Sequence, residues 1–324
     1  MESVVARMLG NYESWPRQVE AGFESGIHAS SELGGVPEIV EFCGMGTSGF
    51  SGEYAGFILD EAGWGRVWRV TRGPAPLWLG RGLTVAISYS GTTAETVSCA
   101  RRALESGRVA AVTSGGDLAS LAPVVARVAP GRPQRTSLAE MTAAAIGLLS
   151  PAARGVESYV GSIVDALSRP WRGTIGEAVD ALAEADIAVV AGCGYMGLAA
   201  HRWRTELAEN AKMLAKTEAY PESGHNDLVA YQSRLRPKTA FIILLDRGDR
   251  FCREVMEAVA GIYEEQGRLV IVEPEGDTRP AKLLRGAQLA GLASTLAAER
   301  RGVDPESTPI LHRYREAVRR IGGL

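Results

Sequence analysis

Apolar residues along this chain gather in short runs, each followed by a stretch with helical spacing. Ile39-Val40-Glu41-Phe42-Cys43 predicts a strand that ends in Gly44-Met45-Gly46-Thr47-Ser48-Gly49, with a helix to about Asp60 behind it. Further strands are expected near 67–70, at 83–88, at 108–113 and at 124–128. A helix is expected to start around 92–95, and residues 143–149 continue another until Ser150-Pro151 breaks it. The opening 35 residues mix Leu, Val and Trp with charges and read as one or two helices. Strands separated by helix-length segments imply βαβ units and a mainly parallel sheet.

The second half repeats this grammar. Ile187-Ala188-Val189-Val190-Ala191 predicts a strand ending in Gly192-Cys193-Gly194-Tyr195-Met196-Gly197, a long helix runs to about Lys216, and strands follow at 239–245 and 268–272. Each half therefore opens with strand, G-x-G-x-x-G and helix. Two copies of one α/β sandwich are expected, each a doubly wound parallel sheet with its ligands at the carboxyl ends of the strands. The division is set near 1–152 and 153–324, a size that agrees with about two domains for 324 residues.

Composition removes several classes of function. A net charge of −3 gives no electrostatic reason to expect nucleic acid or an anionic membrane. The longest uncharged stretch, 187–200, falls short of the ~18 residues that a membrane span needs. The N-terminal segment is polar and lacks an apolar signal core. Cys43, Cys99, Cys193 and Cys252 show no C-x-x-C spacing and are expected as buried thiols in a reducing compartment, neither a disulfide frame nor a zinc site. The four histidines form no close metal pair.

A glycine turn between strand and helix aims backbone N–H groups at an anion, and the helix dipole adds to the attraction. A dinucleotide fold would place an acidic residue at the end of the second strand, and Val67-Trp68-Arg69-Val70-Thr71-Arg72 has none. The third strand is more telling: Ser88-Tyr89-Ser90-Gly91-Thr92-Thr93 crowds hydroxyls at a strand-to-helix turn, with Ser48 at the neighbouring one. Helix capping needs one hydroxyl at a turn. Ser48, Ser88, Ser90 and Thr93 together predict a cradle for one phosphate. When Gly91 is aligned with Gly248, the second half has lost these hydroxyls and carries Asp246 and Asp249 instead, which repel a phosphate dianion. The first half keeps an anion site and the second does not.

The pair G-M-G-T-S-G and S-Y-S-G-T-T-A-E-T resembles a sugar isomerase (SIS) domain. Glu206-Leu207-Ala208-Glu209-Asn210-Ala211-Lys212 and Pro221-Glu222-Ser223-Gly224-His225-Asn226 resemble the E-N-A-K and P-E-x-x-H-N segments of the bifunctional phosphoglucose/phosphomannose isomerases. The likeness runs from about residue 35 to the C-terminal Asp304-Pro305-Glu306-Ser307-Thr308-Pro309. It implies two paired SIS domains, a cytoplasmic homodimer with its active site near the interface, and interconversion of fructose 6-phosphate with glucose 6-phosphate and mannose 6-phosphate without metal or organic cofactor.

The resemblance also assigns roles. Glu209 matches the base that moves a proton between C2 and C1. His225 matches the group that opens the ring, Arg135 the cation that stabilises the enediolate, and Thr47, Ser48, Ser88, Ser90 and Thr93 the phosphate site. Thr308 matches a threonine associated with tolerance of both C2 configurations. Seven residues later the family commonly has lysine where this chain has Arg315, a group of equal charge and different shape. By spacing alone, Glu209 with Lys212 and Lys216 also fits a solvated ion-pair face, and Glu222 is a rival base. A non-catalytic sugar-phosphate sensor and an SIS isomerase of another phosphosugar are the alternative functions.

Overall fold

The structure, a computed structural model, describes residues 3–77, 82–105, 107–232 and 237–320. It resolves into two compact units, each assembled from separate stretches of chain. The first unit is Ser14–Val164 with the segment from Thr308 onward, and the second is Asp165–Ser307 with the segment up to Glu13. The chain opens with α1 (Val4–Glu13), which belongs to the second unit, and α2 (Trp15–Ser30), which belongs to the first.

The first unit continues through β1 (Ile39–Cys43), α3 (Thr47–Glu61), β2 (Val67–Thr71), β3 (Leu83–Ile87), α4 (Ala94–Leu104), β4 (Arg108–Thr113), α5 (Gly116–Leu121), β5 (Val124–Arg127) and α6 (Leu138–Leu149). Its five strands pair in parallel in the order β2-β1-β3-β4-β5. The central strand β3 is buried along its whole length, as its unbroken Leu-Thr-Val-Ala-Ile run requires of a strand covered on both faces. Strand order reverses between β1 and β3, so their carboxyl ends flank the crevice where open α/β sheets take ligands. Helix α6 is buried on every face, and α2 lies against it. Glycine permits that approach: a Cβ on Gly26 would stand 2.2 Å from the Ala144 carbonyl oxygen.

Helix α7 (Val156–Ser168) runs across the division. The second unit then holds α8 (Arg172–Glu184), β6 (Ile187–Cys193), α9 (Met196–Glu209), β7 (Leu214–Tyr220), β8 (Thr239–Leu244), α10 (Arg250–Glu264), β9 (Arg268–Val272) and α11 (Arg279–Arg300). Its parallel order β7-β6-β8-β9 reproduces the first four strands of the other sheet. Tyr12 of α1 enters this unit's core, where a Cβ on Gly291 would overlap its ring. Helix α12 (Pro309–Arg319) returns to the first unit. Among the described residues no helix is long and apolar enough to cross a membrane.

Two expectations are corrected. The helix expected to reach Lys216 stops at Glu209, and residues 214–220 form the edge strand β7, paired with β6 from Ile187↔Leu214 to Cys193↔Tyr220. Asn210 and Ala211 still bond back to α9, but Lys212 then adopts a left-handed φ of 53° and the chain leaves the helix. Lys216 therefore lies on a strand, off the helix face that carries Glu209. The cysteines are not free thiols: Cys43 bonds to Cys99 and Cys193 to Cys252. Each bond ties the last residue of a unit's first strand to the helix that follows its third strand, β1 to α4 and β6 to α10. The partners stand 56 and 59 residues apart, so no spacing motif announces them, yet the fold brings their Cα atoms to 6.8 and 5.3 Å.

Cross-linking segments this far apart restricts the unfolded chain, by about 4 kcal/mol in the chain-entropy model. Cys99→Ser is expected to lower the unfolding free energy in urea by about 2–4 kcal/mol. Thiol titration of unreduced, denatured wild-type protein should find none of the four sulfurs reactive.

Candidate active site

The turns after β1 and β3 lie side by side in the first unit. Gly44 is the contact point: a Cβ there would meet the Ile87 carbonyl oxygen at 2.8 Å. Gly91 has φ +67°, and its Cβ would fall 1.8 Å from the Gly115 carbonyl oxygen, so only glycine fits. Helices α3 and α4 begin at these turns with Gly46 and Thr93 as N-caps, and neither side chain caps its own helix. At α3 the Met45 carbonyl takes the Ser48 and Gly49 amides; at α4 no side chain caps the first turn.

The hydroxyls expected at this place are brought together. Ser88 and Ser48 are buried; Ser88 Oγ donates to Thr93 Oγ1 at 3.1 Å and accepts from the Gly91 amide at 3.2 Å. Ser90 is exposed and accepts from both the amide and the hydroxyl of Thr92, at 3.3 and 3.1 Å. Thr47 is buried at the start of α3, where its carbonyl accepts from Ser51. These hydroxyls thus stand around the starts of α3 and α4.

A neighbouring loop is fixed to the same turn. Tyr89, between the two serines, donates to the Ala129 carbonyl at 3.0 Å and accepts from the Arg132 amide at 2.9 Å. Buried Glu140 accepts from the Ala129 amide at 2.8 Å and pairs with Arg132. These bonds set the 3₁₀ turn Gln134–Ser137, in which Arg135 is buried and Gln134 Nε2 donates to Ser48 Oγ at 3.4 Å. Gln134, Ser90, Thr92, Thr93 and Arg315 line a cavity of about 390 Å³, with Glu95 and His312 also on its wall. Sequence reasoning missed Gln134, Thr92 and Glu95. Gln134 has only its place beside Arg135 to mark it, because its link to Ser48 spans 86 residues. Thr308 is the N-cap of α12, the helix that brings Arg315 to this cavity.

The remaining expected residues belong to the second unit. Glu209 closes α9 and is partly buried, and Lys212 Nζ donates to its backbone carbonyl at 2.5 Å. Glu206, one turn earlier, is fully engaged: it pairs with Arg202 and accepts from Tyr12 at 2.8 Å and from Asn210 at 2.9 Å. Asn210 also donates to Ser294 at 2.9 Å. The E-N-A-K asparagine therefore works as a buried clamp, and of the two carboxylates on this turn only Glu209 lies toward the surface. His225 is exposed at the end of the 3₁₀ turn Glu222–His225, and Glu222 is exposed at its start. Among the described residues no group of three or more His, Cys, Asp or Glu is placed to hold a metal ion.

The second unit's counterpart of the phosphate turn is filled by its own carboxylates. Asp249 caps α10 by accepting from the Cys252 amide at 3.0 Å. Asp246 accepts from Tyr195 Oη at 2.7 Å, from the Gly248 amide at 2.9 Å and from Lys282. Burial works to raise the Asp246 carboxyl, but the bonds from Lys282, Tyr195 and the Gly248 amide outweigh it and hold it below the ordinary range. Burial, then the bond to Asp246, pushes the Tyr195 hydroxyl far above its usual value.

A depressed carboxyl stabilises the fold above its unfolded pKa of 3.8, and that contribution is lost as pH falls through the lower folded value. Asp246→Ala is expected to cost roughly 2 kcal/mol at pH 7 by taking the acceptor from its three donors. Urea titrations of both proteins should show the gap close only below about pH 4.

Known proteins match this chain along nearly its whole length. The bifunctional phosphoglucose/phosphomannose isomerase of Aeropyrum pernix is 36% identical over 96% of this chain and 97% of its own. Its namesake in Thermoplasma volcanium is 28% identical over 89% and 94%. Residues 177–318 match the family model described as the bacterial phospho-glucose isomerase C-terminal SIS domain. Solved structures share the fold at low identity. The C-terminal domain of glucosamine-fructose-6-phosphate aminotransferase from Francisella tularensis gives a TM-score of 0.72 at 14% identity, covering 95% of this chain and 99% of that one. Tagatose-6-phosphate ketose/aldose isomerase from Escherichia coli gives 0.69 at 14% identity, covering 94% of each. With two parallel α/β sheets, a doubled strand–glycine–helix plan and this extent of likeness, the chain belongs to the bifunctional phosphoglucose/phosphomannose isomerase family.

Proposed function

We propose that this sugar-phosphate isomerase interconverts fructose 6-phosphate with glucose 6-phosphate and with mannose 6-phosphate through a cis-enediol(ate). The observation that carries the reading is the cavity where Ser90, Thr92 and Thr93, at the uncapped start of α4, face Gln134 and Arg315. On that wall hydroxyls bind the phosphate oxygens and Arg315 supplies the positive charge, against the carboxylates of Glu95 and Glu316 on the same wall. Thr47, Ser48 and Ser88 complete the cradle.

The chemistry asks for three further groups. His225 exchanges the proton that opens the ring, as an imidazole does near neutral pH. Glu209 removes the C2 proton of the aldose and returns it to C1 of the enediol. One carboxylate serves both carbons because they are adjacent and held within reach. Arg135 stabilises the enediolate oxygen. The enediol has lost its C2 configuration, and Thr308 bears on whether the proton returns to either face. No metal or organic cofactor has a part in these steps. The working form is a homodimer with the sugar held near the subunit interface. A cytoplasmic place in glycolysis and gluconeogenesis fits the substrate class. Disulfides survive inside cells in the disulfide-rich proteins of hyperthermophiles.

A coupled assay on fructose 6-phosphate that reads each aldose separately should find both products. Glu209→Gln is expected to reduce kcat by about 10³-fold while calorimetry still detects fructose 6-phosphate binding. A Glu209→Gln enzyme with more than a tenth of wild-type turnover overturns the assignment of the base, and binding without turnover in the wild type points to a sensor. Arg315→Ala should raise KM about tenfold, the loss of one charge-assisted contact to phosphate, with kcat little changed.

A further inference from the structure

The second unit holds a cluster of ionisable groups that the reaction above leaves unused. Glu218, on β7, is wholly buried, yet four donors converge on it. Tyr220 Oη and Tyr263 Oη donate to Oε2 at 2.7 and 2.5 Å, and Lys216 Nζ to Oε1 at 2.9 Å, where Tyr231 Oη also donates. Burial, reinforced by this carboxylate, pushes all three tyrosine hydroxyls up, so they stay protonated donors throughout the working pH range.

The donors come from three places. Lys216 and Tyr220 flank Glu218 on one face of β7, Tyr263 comes from α10, and Tyr231 comes from the 3₁₀ turn Asp227–Gln232. That last turn follows directly on the one that carries His225. It is fastened twice, by Tyr231 to Glu218 and by Asp227 to Lys216 at 2.7 Å. Lys216 thus bridges Glu218 and Asp227. On the other side of the histidine, Ser223 Oγ accepts from the Ala219 amide at 2.9 Å. His225 therefore sits between two anchors, each two residues away, and the anchor on its C-terminal side converges on Glu218.

We propose that Glu218 is a positioning residue: through Tyr231 and the Lys216–Asp227 pair it holds the turn that presents His225 to the sugar. The inference rests on the reading of His225 given above. Glutamine at 218 keeps the volume but turns one acceptor into a donor facing donors, so the turn loses its hold while the core stays filled.

The test is a double-mutant cycle on the full-length enzyme, assayed with fructose 6-phosphate. Glu218→Gln is expected to lower kcat about 10–100-fold, the scale of a misplacement of about 1 Å, with KM changed less than about threefold. His225→Asn should lower kcat at least as much. The double variant should be no slower than His225→Asn alone, because Glu218 has nothing left to position. Effects that multiply would overturn the proposal, since Glu218 would then act by another route. A fully active His225→Asn enzyme would instead sink the assignment of the histidine. Tyr231→Phe removes a single hydroxyl and keeps the ring packing. It should show the same non-additivity in milder form, so a Glu218→Gln chain that fails to fold leaves the question open to that cycle.

Discussion

The mouth of the first unit depends on two helices that begin side by side without a capping side chain. A helix starting at a strand's carboxyl end must find acceptors for its first N–H groups. At α10 the chain supplies one, because Asp249 bonds back to Cys252. At α3 and α4 no side chain does: Gly46 has none to offer and the Met45 carbonyl takes the Ser48 and Gly49 amides, while Thr93 takes its hydrogen bond from Ser88. In the function proposed above, an anion with several oxygens sits at these two helix starts, and the serine and threonine hydroxyls adapt to it as donors. Tyr89 then carries this constraint sideways to the loop that sets Gln134 and Arg135. On that proposal, binding of the phosphate and placement of the Arg135 cation both trace to one turn.

The two units show what becomes of this plan when the anion comes from within. Both keep the glycine turn after the first strand, the same parallel order in the first four strands, and a disulfide from the first strand to the helix after the third. In the second unit Asp246 takes the donors that an incoming phosphate would need, with Lys282 as its counter-charge. That arrangement stabilises the unit and closes the site. The side chains proposed for the reaction, Glu209 and His225, sit elsewhere, at the end of α9 and in the turn after β7.

Much of this architecture was legible in the sequence, and the omissions have physical causes. The strands at 39–43, 83–87, 108–113, 187–193 and 239–244 announced themselves because central parallel strands must be apolar on both faces. Strand β7 did not: Leu-Ala-Lys-Thr-Glu-Ala-Tyr carries a lysine and a glutamate on its inner face, and their partners, Asp227 and three tyrosines, lie up to 45 residues away. The hydroxyls of the cradle were legible because they are local to two turns. Gln134, the disulfides and the role of Tyr12 were not, since each depends on a contact between residues far apart in the chain. The E-N-A-K motif gave Glu209 by resemblance, and the structure adds why Glu206 is not its equal.

Burial separates the carboxylate proposed as the base from the structural ones. Glu41, Glu140, Glu206 and Glu218 are all nearly or wholly buried, and each is surrounded by donors. Glu41 accepts from Thr71, Arg69 and the Leu77 amide; Glu140 from Arg132 and the Ala129 amide; Glu206 from Arg202, Tyr12 and Asn210; Glu218 from three tyrosines and a lysine. Protonating any of them strands several buried donors, each at a cost of about 1–3 kcal/mol. A base that takes up and releases a proton in every turnover has to avoid that cost. Glu209, the proposed base, is partly buried and His225 is exposed. The buried carboxylates gather donors that hold the framework still, and the groups proposed for proton transfer lie nearer the surface.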